Sequence, residues 1–177
     1  MFNQTGCDTH APARWRLAPQ HMDGKFIAHV EALRPKLEEL LAMTPVRPTS
    51  LPKMMPPAGV YLFSEKNEPL YVGRSNSIRR RIGRHCRAGA THRMAAFAFR
   101  LAREATANLI ATYKHGPGSR AGLAENEAFT KAFSDAKARI RSMDLRFVEE
   151  SDPIRQALLE IYVSVVLSTP YNDFDTH

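Results

Sequence analysis

The sequence predicts an α+β fold, in which a small three-stranded sheet, mixed or antiparallel, is flanked by helices and preceded by an N-terminal helical extension. Two short runs rich in β-branched and aromatic residues, at 59–63 and 70–74, are joined by a polar turn and indicate a hairpin. A similar run at 143–150 indicates a third strand. Apolar residues recur at helical spacing elsewhere, so helices are expected to cover the sheet.

Helices are predicted before, between and after the strands. Apolar residues repeat every three or four positions over 24–43, and Pro35 is expected to kink or split this helix. A helix at 76–88 is expected to turn Ile78 and Ile82 toward the interior. The remaining predictions are helices at 94–113, 124–141 and 151–167 and a flexible break at 115–122.

The chain is expected to hold one main domain with a short extension. We predict a mobile N-terminal segment at 1–22 and a helical extension at 23–43. Residues 44–58 contain five prolines, which excludes regular structure and predicts a linker or a strap over the surface. The main domain is expected to span 59–177.

Composition restricts the class of protein and of partner. A chain of 177 residues that is 44% hydrophobic can bury one sizeable core. Its net charge of +7 favours a polyanionic partner, with nucleic acid ahead of a membrane surface. The longest apolar run is too short for a bilayer span and no export signal is recognisable, so no membrane attachment is expected. The two cysteines lack disulfide or zinc spacing, which is typical of a reducing compartment, and a cytoplasmic location is expected.

Arginine is concentrated in one stretch of the sequence. Residues 74–103 contain nine arginines and no Asp, Glu or Lys, a bias that suits phosphate recognition because guanidinium groups match phosphate oxygens in bidentate geometry. Arg81 and His85 are four residues apart and so share a helix face. A solvated basic face that binds nothing in particular is the alternative. The candidate phosphate-binding residues are Arg74, Arg79, Arg80 and Arg84.

Glu160 stands within an apolar helix, ALLEIYVSVVL, so its carboxylate is expected to be partly buried. An unpaired buried carboxylate is costly, and such groups are normally paired, protonated or bound to metal. One interpretation is a salt bridge to an arginine of the helix at 79–87. The other is a ligand for a hard divalent ion such as Mg²⁺, which often takes only one or two protein carboxylates.

Taken together, these residues resemble the GIY-YIG nuclease superfamily. The first motif is GVY at 59–61 and the second is YVG at 71–73, separated by a short hairpin. A histidine after the motif arginine resembles the compact restriction and homing branch. The stretch at about 89–142 is long for a minimal domain of this family, and we interpret it as a helical insertion. The remaining matching positions are Arg81, His85, Glu160 and Asn172.

The resemblance implies hydrolysis of phosphodiester bonds, with DNA as the expected substrate and one Mg²⁺ or Mn²⁺ ion held by Glu160. Tyr61 is implied as the general base that takes a proton from water, and His85 is expected to accept the tyrosine proton because histidine titrates near neutrality. Arg81 is implied to hold the scissile phosphate. Tyr71 is implied to orient water or phosphate. Asn172 is grouped with the substrate-binding residues, although fixing the chain end is its favoured role.

Other functions stay open on the sequence. A nucleic-acid-binding module without catalysis keeps the arginines, and a basic scaffold that binds proteins leaves Glu160 and the paired tyrosines unexplained. The tyrosines themselves are also compatible with plain strand packing. A homodimer or two successive nicks would be needed to cut both strands with one active site.

Overall fold

The computed structural model describes residues 23–108, 116, 119–172 and 174. The predicted mobile segment at 1–22 and the part of the predicted helix after residue 108 lie outside these residues. The described elements are α1 (Gly24–Glu31), α2 (Leu33–Ala42), β1 (Gly59–Glu65), β2 (Glu68–Ser75), α3 (Ile78–Cys86), α4 (Ala96–Ala105), α5 (Arg120–Glu125), α6 (Glu127–Arg141), β3 (Asp144–Glu149) and α7 (Pro153–Leu167).

The three strands form one antiparallel sheet in the order β2-β1-β3, which confirms the predicted fold class. The hairpin between β1 and β2 turns at Lys66 and Asn67, whose φ angles are 53° and 68°. Positive φ at both turn positions gives the backbone twist that matches a two-residue hairpin. The tight hairpin alone would pair Tyr61 with Val72, and a β-bulge between Phe63 and Ser64 shifts the register by one residue, so that Tyr61 lies opposite Gly73.

Successive side chains of β1 point to opposite faces of the sheet, and helices cover both faces, so the molecule has three layers. Tyr61 and Phe63 face the side covered by α3, α4 and α6, whereas Val60 and Leu62 face the side covered by α2 and α7. Each face of the sheet therefore has its own apolar core. Because α2 packs into the second core together with α7, it lies directly against the sheet, while α1 packs on α2 and α7.

The predicted N-terminal helix is split, as Pro35 led us to expect, but the break falls earlier. The chain leaves α1 at Ala32, and Pro35 lies in the first turn of α2. A proline is tolerated there because the first helical N–H groups have no partner within the helix. The division into extension, linker and domain stays a prediction.

Two predicted helix boundaries are wrong for local reasons. The predicted helix at 94–113 is replaced by α4, which ends at Ala105 because Ala107 adopts a φ of 55°. The predicted break at 115–122 overlaps α5, whose start is capped by the Ser119 side chain. Asn126 then caps α6, so that helix begins three residues later than predicted. The side chains of Ser119 and Asn126 each accept a hydrogen bond from a backbone N–H group at the start of their helix. The apolar spacing of the sequence did not reveal either cap.

The proline-rich stretch lies as a strap against the domain. Val46 forms a bridge with Leu145 at the outer edge of β3. Arg79 donates to the carbonyl oxygens of Pro52 and Lys53, the second at 3.1 Å. These contacts place residues 44–58 across the start of α3 and assign Arg79 a structural partner.

Gly59 is expected to tolerate no side chain. Its φ is +151°, and a Cβ atom would lie 1.9 Å from the carbonyl oxygen of Val148 on β3. Gly59→Ala should therefore lower the free energy of unfolding by about 3 kcal/mol or more, since both the backbone and the strand pairing must shift. Gly89→Ala is the matched control, because a Cβ there meets nothing within 4 Å. Urea titrations that give both variants wild-type midpoints would contradict this role.

Candidate active site

The hydroxyl group of Tyr61 is the centre of a buried polar cluster. It lies 2.9 Å from Nε2 of His85 and accepts a hydrogen bond of 3.2 Å from Nε of Arg81. Arg81 and His85 come from successive turns of α3, which explains their spacing of four residues. Ile78 and Ile82 anchor this helix in the core, as predicted. The fold therefore brings the first motif and the helix into direct contact.

Gly73 makes room for Tyr61. The two residues are opposite each other in the sheet, and a Cβ on Gly73 would lie 2.4 Å from the tyrosine hydroxyl oxygen. Any side chain at this position would push the Tyr61 ring away from His85. The glycine of the second motif is thus explained by the position of the tyrosine of the first.

His85 is fully buried among aromatic rings. The ring centroids of Tyr61, Phe63 and Tyr71 lie 5.6–5.8 Å from its own. Burial, assisted by the positive charge of Arg81, lowers the pKa of His85 to about 3. The prediction that His85 titrates near neutrality is therefore wrong, because the rings exclude the water that would solvate an imidazolium ion.

The same burial keeps the tyrosines protonated. Desolvation raises the pKa of Tyr61 well above its ordinary value, and Arg81 only partly opposes the shift. The pKa of Tyr71 is raised for the same reason, again against Arg81. Because Arg81 is a donor only, its bond occupies a lone pair of the Tyr61 oxygen and leaves the phenol hydrogen free to point to Nε2 of a neutral His85.

Stability should fall in mild acid because of His85. Its pKa in the folded protein lies below the unfolded value, so the unfolded chain binds the proton first and stability is lost as the pH drops below about 6.5 toward about 3. Between pH 7 and pH 5 this loss amounts to about 2 kcal/mol. Denaturant titrations of wild type and His85→Asn at both pH values give the free energy of unfolding. The loss is measured as the difference between the two proteins in how this free energy changes with pH. Equal pH slopes for the two proteins would show that His85 is not held neutral.

Tyr71 is positioned by a residue that the sequence did not single out. The ring of Phe97, in α4, stacks on Tyr71 with centroids 4.7 Å apart and an angle of 8°. Arg100, one turn further on, donates to the backbone oxygen of Tyr171. Both residues belong to α4, so this helix, which lies in the segment predicted as an insertion, forms one wall of the site. The apolar run AAFAF was the available signal, but it did not distinguish core packing from a role at the site.

Glu160 is paired with Arg74. Nε of Arg74 lies 2.9 Å from Oε2 of Glu160, and the exposed fractions of the side chains are 47% and 21%. Burial raises the pKa of Glu160 and Arg74 opposes the shift, with a smaller contribution from Arg81. The predicted salt bridge partner on the helix at 79–87 is therefore wrong, because the partner comes from β2. The carboxylate lies on α7, which begins after an Asp152 cap.

Asn172 serves the fold. Its Oδ1 accepts from the backbone N–H of Val72 at 2.9 Å, and its Nδ2 donates to the carbonyl oxygen of Val72 at 2.8 Å. The amide thus pairs with the outer edge of β2 in the way a neighbouring strand would. This contradicts its grouping with the substrate-binding residues and agrees with the favoured role of fixing the chain end.

Residues 57–132 match the family model of the GIY-YIG catalytic domain. This match, which covers a little less than half of the chain, supports the GIY-YIG nuclease superfamily. The match covers both tyrosine motifs, Arg81 and His85, and it ends before Glu160 and Asn172. Neither a curated protein nor a solved structure matches the chain significantly.

The GIY-YIG domain match indicates a nuclease family, and GIY-YIG nucleases act on nucleic acid. The arginine ridge, defined here as Arg80, Arg84 and Arg87, lies opposite the buried face of α3. Within the described residues these three side chains have no ion-pair partner, and Arg80 and Arg87 are exposed. The helices in the described part of the chain are all too short or too polar to cross a membrane.

Among the described residues of this site, Glu160 is the side chain that could hold a divalent ion. The described residues contain no group of three or more His, Cys, Asp or Glu side chains that could enclose a metal. Glu160 offers a hard oxygen donor that is partly open to solvent. This donor set suits Mg²⁺ or Mn²⁺, which keep several water or phosphate ligands when bound by a protein carboxylate.

Proposed function

We propose that this chain is a metal-dependent endonuclease that hydrolyses phosphodiester bonds of DNA. The observation that supports it best is the Tyr61 hydroxyl, which contacts both an imidazole acceptor and a guanidinium donor inside a GIY-YIG domain. Any buried hydroxyl needs a hydrogen-bond partner, but here an imidazole acceptor and a guanidinium cation meet on one phenol oxygen, which suits proton transfer beside a phosphate. The cytoplasmic location expected from the sequence belongs to the same proposal.

Each residue of the site has a distinct role in the proposed reaction. Tyr61 acts as general base toward the attacking water as its phenol hydrogen moves to His85, and the negative charge of the bound phosphate offsets the burial that otherwise keeps His85 neutral. Arg81 holds the scissile phosphate as negative charge develops. Tyr71, held by Phe97, orients water or phosphate. Glu160 would hold Mg²⁺ or Mn²⁺, which supplies stabilisation of the leaving oxygen when bound.

The arginine ridge supports DNA as the substrate. Arg80 and Arg84 lie one turn apart on the outer side of α3 and Arg87 follows at its C-cap, so three cations lie close together along this side of the domain. A row of cations of this kind suits successive phosphates of a backbone rather than a small anion. Arg79 is better assigned to the strap.

A nucleic-acid-binding module without catalysis is the second candidate. The complete burial of Tyr61 favours it, since a general base must reach the attacking water. It shares the arginine ridge with the first proposal but requires no ion at Glu160. Cleavage therefore distinguishes the two.

The test is incubation of the purified protein with supercoiled plasmid and with single-stranded DNA, in Mg²⁺, in Mn²⁺ and in EDTA. The endonuclease predicts cleavage that EDTA abolishes. Nicked circles would indicate one cut strand, and direct linear product would support a homodimer. Binding without cleavage in either metal would select the second candidate.

Removal of one ridge arginine should change the salt dependence of binding. Arg84→Ala is expected to reduce the slope of log Kd against log salt concentration by about one, because one fewer counterion is released. Arg34→Ala is the control, since Arg34 pairs with Glu38 on α2 in the opposite layer. Fluorescence anisotropy with a duplex at several salt concentrations measures both slopes. An unchanged slope for Arg84→Ala would remove the ridge from the interface.

A further inference from the structure

Arg74 occupies the oxygen that the proposed metal ion requires. Its Nε donates to Oε2 of Glu160 at 2.9 Å. A guanidinium group and a divalent cation compete for one carboxylate, because each needs the same lone pairs and they repel each other. Arg74 is also the first arginine of the acid-free stretch that leads into α3. The Arg74 side chain therefore connects Glu160, the proposed metal ligand, with the arginines proposed to bind phosphate.

The ion pair between Arg74 and Glu160 is held by few bonds, so either residue can take another partner. A useful comparison is Glu150, which is 5% exposed and accepts two bonds from Arg155 and one from the backbone N–H of Asp152. That pair is fixed by several bonds around a buried carboxylate. Arg74 makes one side-chain bond to Glu160 and is 47% exposed. Because the Arg74 guanidinium group is half exposed and the Glu160 side chain is 21% exposed, this pair can exchange partners more readily than the pair at the 5%-exposed Glu150.

We propose that the Arg74–Glu160 pair is a latch that makes metal binding and nucleic-acid binding mutually cooperative. Without the ion, Glu160 neutralises Arg74. When Glu160 takes a divalent ion, Arg74 is released and binds a backbone phosphate of the substrate. By linkage, phosphate bound to Arg74 frees Glu160 for the ion to the same extent. This inference rests on the proposed function, because it uses the same substrate and the same ligand.

A metal-free double-mutant cycle tests the latch without cleavage. Binding of a 20-base-pair duplex is measured by fluorescence anisotropy in EDTA for wild type, Glu160→Gln, Arg74→Ala and the double variant. Glu160→Gln should bind about three- to tenfold more tightly than wild type, because Arg74 is released permanently. In the Arg74→Ala background the same change should have almost no effect. An equal gain in both backgrounds, or no gain in either, would overturn the latch.

Metal binding by the free protein provides a second readout. Electron paramagnetic resonance of free Mn²⁺ should show that Arg74→Ala binds the ion about three- to tenfold more tightly than wild type, since the competitor is gone. Arg87→Ala removes an exposed charge that does not touch Glu160 and should change Mn²⁺ affinity little. Unchanged or weaker Mn²⁺ binding by Arg74→Ala would contradict the latch.

The two proposals fail in different ways. A wild-type protein that binds no duplex in EDTA or in Mn²⁺ would refute the proposed function and the latch with it. A wild-type protein that binds duplex, but whose Glu160→Gln effect is the same with and without Arg74, would refute the latch alone.

Discussion

Tyr61→Phe is expected to leave the protein folded and to slow DNA cleavage by about 100- to 10,000-fold, the range typical of a lost general base. Phenylalanine keeps the ring that fills the space beside Gly73 and touches Phe63. Only the hydroxyl is removed, and with it the hydrogen bonds to His85 and Arg81. The loss of rate therefore reports on proton transfer rather than on packing.

Single-turnover cleavage and thermal melts of the same preparations measure this effect. Tyr162→Phe is the matched control, because Tyr162 packs against the other core of the sheet, on the α7 side. It should retain wild-type rates. Tyr61→Phe should lose about 1 kcal/mol of stability, since His85 loses its partner in a buried site. Full activity in Tyr61→Phe would leave Tyr61 as a packing residue and would favour a different base.

Arg81→Ala is the second large effect, with an expected loss of about 100- to 1,000-fold in cleavage rate at saturating DNA and a much smaller loss in affinity. Arg81 is half-buried and donates a hydrogen bond to Tyr61. Burial raises the pKa of both tyrosines, and the charge of Arg81 opposes this rise. Its removal takes away the phosphate contact and this electrostatic support together. Arg81→Lys should recover only part of the rate, because lysine keeps the charge but not the planar fork.

Arg80→Ala is the control for Arg81→Ala. Arg80 is the neighbouring residue on the exposed ridge, so its loss should weaken binding while the rate at saturation stays within about threefold of wild type. Parallel measurement of Kd and single-turnover rate separates the two arginines. Equal losses in affinity and rate for Arg81→Ala would move Arg81 to the ordinary binding surface.

The cluster around Tyr61 could be predicted because it depends on local regularities. Alternation in a strand puts Tyr61 on one face of the sheet, and the four-residue spacing of Arg81 and His85 puts both on one face of α3. The tight hairpin and the one-residue bulge between Phe63 and Ser64 together fix the register between the motifs. The family resemblance supplied the remaining step, which is that these faces meet.

The features that the sequence did not reveal depend on contacts between distant segments. The partner of Glu160 on α7 is 86 residues away on strand β2, and no local pattern distinguishes Arg74 from the arginines of α3. Phe97 reaches Tyr71 only because α4 packs beside the sheet. The pKa of His85 follows from enclosure by four rings drawn from β1, β2 and α4, which residue type and spacing do not report.

The measurement closest to the central claim is single-turnover cleavage of supercoiled plasmid in Mn²⁺ by wild type and by Glu160→Gln, with EDTA as the blank. Hydrolysis at the Tyr61, Arg81 and His85 cluster with an ion on Glu160 predicts cleavage by the wild type and a loss of at least about 100-fold in the variant, although the variant stays folded and still binds duplex. Cleavage at the same rate by both proteins, or no cleavage by a wild type that binds DNA, would contradict the assignment of this cluster as a metal-dependent nuclease site.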